Sequence, residues 1–432
     1  MSSVLSKHVV GSMLLASSIA LVGIACSNGD SGDSEEHVTP DGGHPDASLD
    51  ADGRDASALV PDASDDAPDA GPRTCSDDDV CHTALPPDSY LRDVWSAGNG
   101  VVWAVGWTEV KNRVPTGTVF RWDGSAWTVH FEMKDRLHTV WGSGSTDIWI
   151  GGEGGLFHGT GASSEAITWT KVRSESISSI WGSSATDIWA VGSLWQYTNP
   201  YRGTVLHFKG PSANGGDGWE VDPLTSRPAA YQKVWGTSGS DVWLAAVEDN
   251  QCTDRYLCRG SRGFVLRSRP DGAGGFTWSE DAMPDFGRVA LDSFGSVVTG
   301  GASIGGGDTW LFGNKANQYD AFFRGALKTG GSGDYGWSEG TFGTCRDLVS
   351  LRGCQGLWLT RAVWGRTPND VYIAGDYGQL RHWNGTSFSL VKTTIKKIPL
   401  QASLFAMWGT SSTDLWIVGD RVALHKVAPG QR

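Results

Sequence analysis

The phrase IWGSSATDIWAVG, residues 180 to 192, has close relatives down the chain. They read VWSAGNGVVWAVG from Val94, VWGSGSTDIWIGG from Val140, VWGTSGSDVWLAA from Val234, VWGRTPNDVYIAG from Val363 and MWGTSSTDLWIVG from Met407. In all six copies two aromatic residues stand eight apart around a small polar turn. A seventh copy is expected in VALDSFGSVVTGG from Val289, with Ala290 and Val298 replacing the aromatics and Ser296 replacing the aspartate. The first aromatic positions then fall at 95, 141, 181, 235, 290, 364 and 408, a spacing of 40 to 74 residues. Self-similarity at that scale, with insertions of variable length, belongs to solenoids, propellers and arrays.

Each copy continues into a second strand, a Gly-rich turn, a third strand ending in Arg or His, another turn and usually a further Trp or Phe, as in TVFRWDGSAW. The chain holds 59 Gly and 22 Trp in 432 residues, and past the N-terminus no stretch sustains an apolar period of 3.6. Seven units of four strands without helices describe an all-β, seven-bladed β-propeller of four-stranded blades, which closes radially and leaves only short edges. The last copy stops after three strands at LHKVAPGQR, so its outer strand is expected from residues before Leu91, closing the ring by exchange.

Asp147, Asp187, Asp241, Asp370 and Asp414 stand six after the first aromatic, where a carboxylate can accept backbone N–H groups of the preceding turn. The third strands end in Arg121, His158, His207, Arg267, Arg324, His382 and His425. A two-residue hairpin at Gly419 and Asp420 would set Asp414 opposite His425, and one at Gly152 and Glu153 would set Asp147 opposite His158. A ring of seven bases could bind a polyanion. Asp and base come together, however, and the two blades expected to lack the Asp, 1 and 5, carry Arg, so these residues read as structural partners within each blade.

The phrase resembles the Trp-rich repeats of exported, myxobacterial-type propeller lipoproteins, loosely grouped with sialidase-like BNR propellers, and more weakly the tectonin repeats of some lectins. That resemblance covers about residues 90 to 432 and implies fold rather than activity, since one propeller scaffold hosts many functions. The first 25 residues read as an export signal with an apolar run from 9 to 21. Gly23, Ile24, Ala25 and Cys26 resemble the lipobox of bacterial lipoproteins, which implies lipidation of Cys26 and, with Ser27 next, an outer-membrane or cell-surface location. Cleavage after Ala25 without lipidation also fits the small residues.

Residues 26 to 82 read as a disordered acidic tether. Of the chain's 48 acidic and 35 basic residues, 16 acids, Arg54 and Arg73 fall in residues 27 to 80, and Lys7 lies in the signal. The remainder, from Cys81, is balanced at 32 of each, a composition without the basic excess that nucleic-acid binding needs. The tether is too poor in aromatic and β-branched residues to offset its ordering entropy and would span about 40 Å as a coil. The propeller is then expected over residues 83 to 432. Cys75 and Cys81, Cys252 and Cys258, and Cys345 and Cys354 form three close pairs, read as local disulfides in an exported protein rather than metal ligands.

Catalytic signals are thin. No cofactor, HExxH, P-loop or calcium-loop pattern occurs, and the Asp box S-x-D-x-G-x-x-W of sialidases is absent. Gly301 to Gly305 matches G-x-S-x-G around Ser303, but without the strand-to-helix turn that a nucleophile elbow requires. Insertions in a repeat protein mark its working face. They are expected after the second strand in blade 3 (194 to 203), blade 4 (247 to 263) and blade 5 (303 to 320), and at the crossing into blade 6 (343 to 356). That sector would present Trp195, Tyr197, Tyr201, Arg202, Arg255, Tyr256, Arg259, Trp310 and Tyr319 to a glycan or an envelope or extracellular protein. The leading expectation is a non-enzymatic binding or scaffolding propeller that meets the membrane only through its lipid. The alternatives are a sialidase-like carbohydrate-active enzyme, which needs converging carboxylates or a Tyr with an acid at the channel mouth, and an assembly factor with a broad apolar patch.

Overall fold

The computed structural model describes residues 74 to 431 apart from 110 to 113, 195 to 201, 212 to 215, 250 to 260, 273 to 274, 282 to 296, 306, 316 to 318, 330 to 332, 341 to 358 and 396 to 398. These residues form seven four-stranded antiparallel sheets. The first strands are Ser89–Ser96, Leu137–Gly144, Ser179–Ser184, Ala229–Ser238, Val297–Ile304, Thr360–Thr367 and Leu404–Ser411. They touch one another in succession all the way round, so they line the axis of a seven-bladed β-propeller. Among the described residues the only helical elements are two short 3-10 turns, Pro223–Ser226 and Asp376–Gly378.

The repeated phrase is the hairpin of the first and second strands, and its two aromatics do different work. The second one fills the space between blades: Trp103, Trp189, Trp243 and Trp310 are all but inaccessible to solvent. The first one reaches across to the next blade. A Cβ on Gly142 would lie 2.8 Å from Trp95, one on Gly182 2.7 Å from Trp141, and one on Gly236 2.7 Å from Trp181. In blades 2, 3 and 4 the glycine after the first tryptophan is therefore the seat of the previous blade's indole, while Gly365 and Gly409 lie against their own second strands at Asp370 and Asp414. Polar side chains two positions before the aromatic tie neighbouring first strands together. Asp93 Oδ2 accepts from Val140 N at 3.0 Å, Thr139 Oγ1 from Ile180 N at 3.1 Å and Ser179 Oγ from Val234 N at 3.2 Å.

The ring closes with the chain's two ends in one sheet. Val80–Thr83 supplies the outer strand of blade 7, pairing with Val422–Val427. Residues 74 to 82, assigned by composition to the tether, thus belong to the propeller. A Cys75–Cys81 disulfide closes the hairpin that leads into this strand. Val427 N donates to Asp79 O at 3.0 Å, Lys392 N to Asp78 Oδ2 at 2.6 Å, and Trp127 Nε1 of blade 1 to Thr83 Oγ1 at 2.9 Å.

Blade 5 corrects the reading of the repeat. Its first strand pairs Ala302 with Trp310, and its second strand begins at Asp308, so the hidden copy is GASIGGGDTWLFG at 301 to 313. Only the first aromatic is missing, replaced by Ala302, and the aspartate is present as Asp308. The segment read as a long insertion is therefore mostly hairpin and second strand. Trp310, 1% exposed, is a core residue and not a ligand-binding one. Ser303 sits in that strand, its hydroxyl 3.4 Å from that of Thr309.

Candidate functional site

Each first strand carries an irregularity near one end or both. In blades 2, 3, 4 and 7 a β-bulge beside the turn leaves one residue unpaired, Ser143, Ser183, Thr237 or Thr410. Its hydroxyl donates to the repeat aspartate, Asp147, Asp187, Asp241 or Asp414. The same carboxylate meets the base of the third strand: His158 at 2.5 Å, His207 at 2.7 Å, Arg267 at 2.9 Å and His425 at 2.8 Å. In blades 5 and 6 Asp308 takes Arg324 at 2.6 Å and Asp370 takes His382 at 2.8 Å.

The donors to these aspartates are side chains rather than the turn amides expected from the sequence. The register also differs by two from that expectation. His425 lies opposite Trp416, and His158 opposite Trp149, because the turns are Asp420 with Arg421 and Glu153 with Gly154. The imidazole therefore stacks on the indole, with centroids 4.1 Å apart in blade 7 and 3.8 Å in blades 2 and 3, and reaches its Asp diagonally. These side chains saturate one another. Blade 1 has no repeat Asp, and Arg121 takes its carboxylate from Glu165 of blade 2 instead, with Ser164 Oγ at 2.8 Å.

The second set of bulges lies at the opposite end of the first strands, on the face where second strands lead into third strands and blade crosses to blade. There the unpaired residues are Arg92, His138, Gln232, Thr299, Arg361 and Phe405, which differ in chemistry where most of the repeat is uniform. Bulges re-aim side chains and are frequent beside functional sites. Three of these converge across blades 1, 7 and 6: the Arg92 guanidinium lies 3.9 Å from the Phe405 ring centroid and that of Arg361 lies 5.3 Å from it. Arg92 also lies 4.7 Å from the Trp107 ring and Arg136 4.9 Å from the same ring. Trp107 stacks on Tyr90 at 5.8 Å, and Arg421 covers Tyr90 at 5.0 Å. An arc of alternating guanidinium and aromatic groups thus follows the channel mouth from blade 6 to blade 2.

Its acids are distributed unevenly. Asp376 binds Arg361 through two hydrogen bonds, 2.8 and 3.2 Å, and Asp88 lies 3.9 Å from Arg421. Glu153 lies 3.8 Å from His138. Among the described residues no carboxylate comes within ion-pair distance of Arg92 or Arg136, and no acceptor is hydrogen-bonded to either guanidinium. Burial lowers the pKa of Arg92, with Asp420 opposing and Arg361 and Arg136 reinforcing the effect. Burial raises Asp420 above the ordinary carboxylate value against the pull of Arg92 and Arg361. His138 is lowered by burial, with Arg92 and Arg136 adding to it against Glu153. Among the described residues no His, Cys, Asp and Glu cluster is arranged to hold a metal ion.

The aromatic loop sector expected from the sequence is only partly visible. Trp195, Tyr197, Tyr201, Arg255, Tyr256 and Arg259 lie outside the described residues, as do Cys26, Cys252, Cys258, Cys345 and Cys354. Arg202 opens the third strand of blade 3 and is exposed, and Tyr319 opens that of blade 5 opposite Lys315. The channel-mouth arc was not anticipated. The signal that could have found it is the position three before the first aromatic, which carries Arg92, His138, Arg361 and Phe405.

No known protein family matches the sequence, and no curated protein matches it either. Solved structures do. A YCF48 bound to D1 peptide is 17% identical with a TM-score of 0.52, over 83% of this chain and 100% of that one. YCF48 from Cyanidioschyzon merolae is 13% identical at 0.52, over 82% and 99%. PorZ, an essential surface component of the type-IX secretion system of Porphyromonas gingivalis, is 14% identical at 0.51, over 80% and 48%. At such identities the likeness is one of fold. The chain is an all-β propeller similar to these, and function has to be argued from its own site.

Proposed function

We propose that this chain is a non-enzymatic binding propeller of the cell envelope. It is exported, anchored through a lipid on Cys26 and held out on the acidic tether, and it captures an extended segment of a protein partner on its crossing face. The observation that carries this reading is the channel-mouth arc: the bulged residues Arg361, Phe405 and Arg92 come together there with Trp107 and Arg136. Arginine and large aromatics are the residue types that dominate binding hot spots. A YCF48 with a bound peptide and PorZ, a surface component of a secretion system, support a protein ligand over a glycan. The consumption of Asp376 by Arg361 argues against a free carboxylate pair for glycoside hydrolysis.

Parallel screening of the full chain on peptide and glycan arrays tests the reading. Peptide binders whose signal is lost in Phe405→Ala are expected, and hits confined to glycans would overturn it.

A further inference from the structure

Arg92 and Arg136 are placed in an unusual way for arginines at the mouth of a channel. Each guanidinium lies within 5 Å of the Trp107 ring centroid, so the two are no more than about 10 Å apart. Arg92 is also pressed on Phe405, at 3.9 Å. A guanidinium packed on a ring keeps its N–H edge in plane and available, and that edge matches a carboxylate through two parallel hydrogen bonds. Other arginines of the propeller already spend their donors internally: Arg361 is forked onto both oxygens of Asp376, Arg227 sets two nitrogens on one oxygen of Glu248 and Arg324 two on one oxygen of Asp308, and Arg267 gives Nε to Asp241 and Nη1 to the Gly333 carbonyl. The bulge at Arg92 interrupts the first-strand ladder, and its side chain packs between Trp107 and Phe405.

We infer that Arg92 and Arg136 form a carboxylate-binding site, and that the segment captured on this face is an extended acidic peptide. Its carboxylate, on the chain terminus or on an Asp or Glu side chain, would be forked by Arg92, which the buried Trp107 holds in place, while the half-buried Phe405 supports the flanking residues. This rests on the protein-binding reading above and sharpens it to a ligand class.

The test is fluorescence anisotropy with the full chain and four labelled peptides of one extended sequence. They carry Asp side chains with a free C-terminus, Asp with a C-terminal amide, Asn with a free C-terminus, and Asn with the amide. Binding by at least one carboxylate-bearing peptide is expected, with the fully neutral peptide at least tenfold weaker, and the pattern among the other three locates the carboxylate. Arg92→Gln should weaken the acidic peptide by tenfold or more, Arg92→Lys should fail to restore it, and Arg136→Gln should weaken it in a fold that is untouched by circular dichroism. Lys209→Gln, just past the third strand of blade 3, should change nothing. Equal binding of the neutral and acidic peptides, with Phe405→Ala still harmful, overturns the carboxylate site and leaves protein binding standing. Absence of any peptide binding overturns both.

Discussion

Asp308 and Arg324 meet at 2.6 Å in blade 5, in the place that Asp187 and His207 hold at 2.7 Å in blade 3. The most degenerate copy of the repeat has thus kept its polar pair while losing its first tryptophan to Ala302. What the blade conserves is the neutralised charge beside the second aromatic.

That placement predicts a stability defect rather than a binding defect for the second aromatic of blade 5. Trp310→Ala removes a fully buried indole and should cost about 3 to 5 kcal/mol, read as a lowered midpoint in urea unfolding. Arg202→Ala, exposed at a strand end, should stay within about 0.5 kcal/mol.

The seats of Trp141 and Trp181 give a second prediction. A methyl group at position 182 would sit 2.7 Å from the Trp141 ring, and one at 236 the same distance from Trp181. Gly182→Ala and Gly236→Ala should each destabilise by about 1 to 3 kcal/mol despite the higher strand propensity of alanine, as overpacked sites do. Thermal melts would read both.

The aspartates predict an acid response. The hydrogen bond from His207 holds the Asp187 carboxyl below its usual value, and that from His425 does the same for Asp414. Such a carboxyl binds fewer protons folded than unfolded. Its contribution is therefore full above about pH 4 and is lost as pH falls through the lowered folded value. Urea midpoints taken from about pH 6 to pH 2 should show the gap between wild type and Asp187→Asn narrowing with acid. A gap independent of pH would contradict it.

Ring closure gives the last. The Cys75–Cys81 bridge restrains the short hairpin ahead of the outer strand of blade 7, and its loss should cost about 2 to 3 kcal/mol from loop entropy. Hydrogen exchange in Val422–Val427 should rise first on reduction, since that strand loses its partner.

Much of this was legible in the sequence because a propeller blade repeats its chemistry at fixed offsets. The Trp pair, the Asp six on and the base ending the third strand gave seven blades and an exchanged outer strand. Blade 5 escaped because Ala302 and the run from Gly305 to Gly307 lack the aromatic that marks the register, and Val289 to Gly301 offered a plausible substitute. The pairing of Asp414 with His425 was misplaced by two residues because Arg421 takes a left-handed conformation, φ 58°, that moves the turn. The channel-mouth arc was hidden for a related reason. A bulged residue such as Arg92 belongs to neither alternating face of its strand, so a period-of-two reading assigns it no role.

The strand that completes blade 7 is the first part of the propeller to leave the ribosome, and its partner the last. Thr83 bonds Ala423 across 340 residues of sequence. Until the C-terminal residues arrive, Val80–Thr83 is an unclaimed edge and blade 7 has none to offer it. A product that stops early therefore presents two unpaired sheet borders at once, which is the kind of end that quality-control proteases and aggregation both recognise. The latch that makes the finished ring hard to open is also a proofreading step on its length.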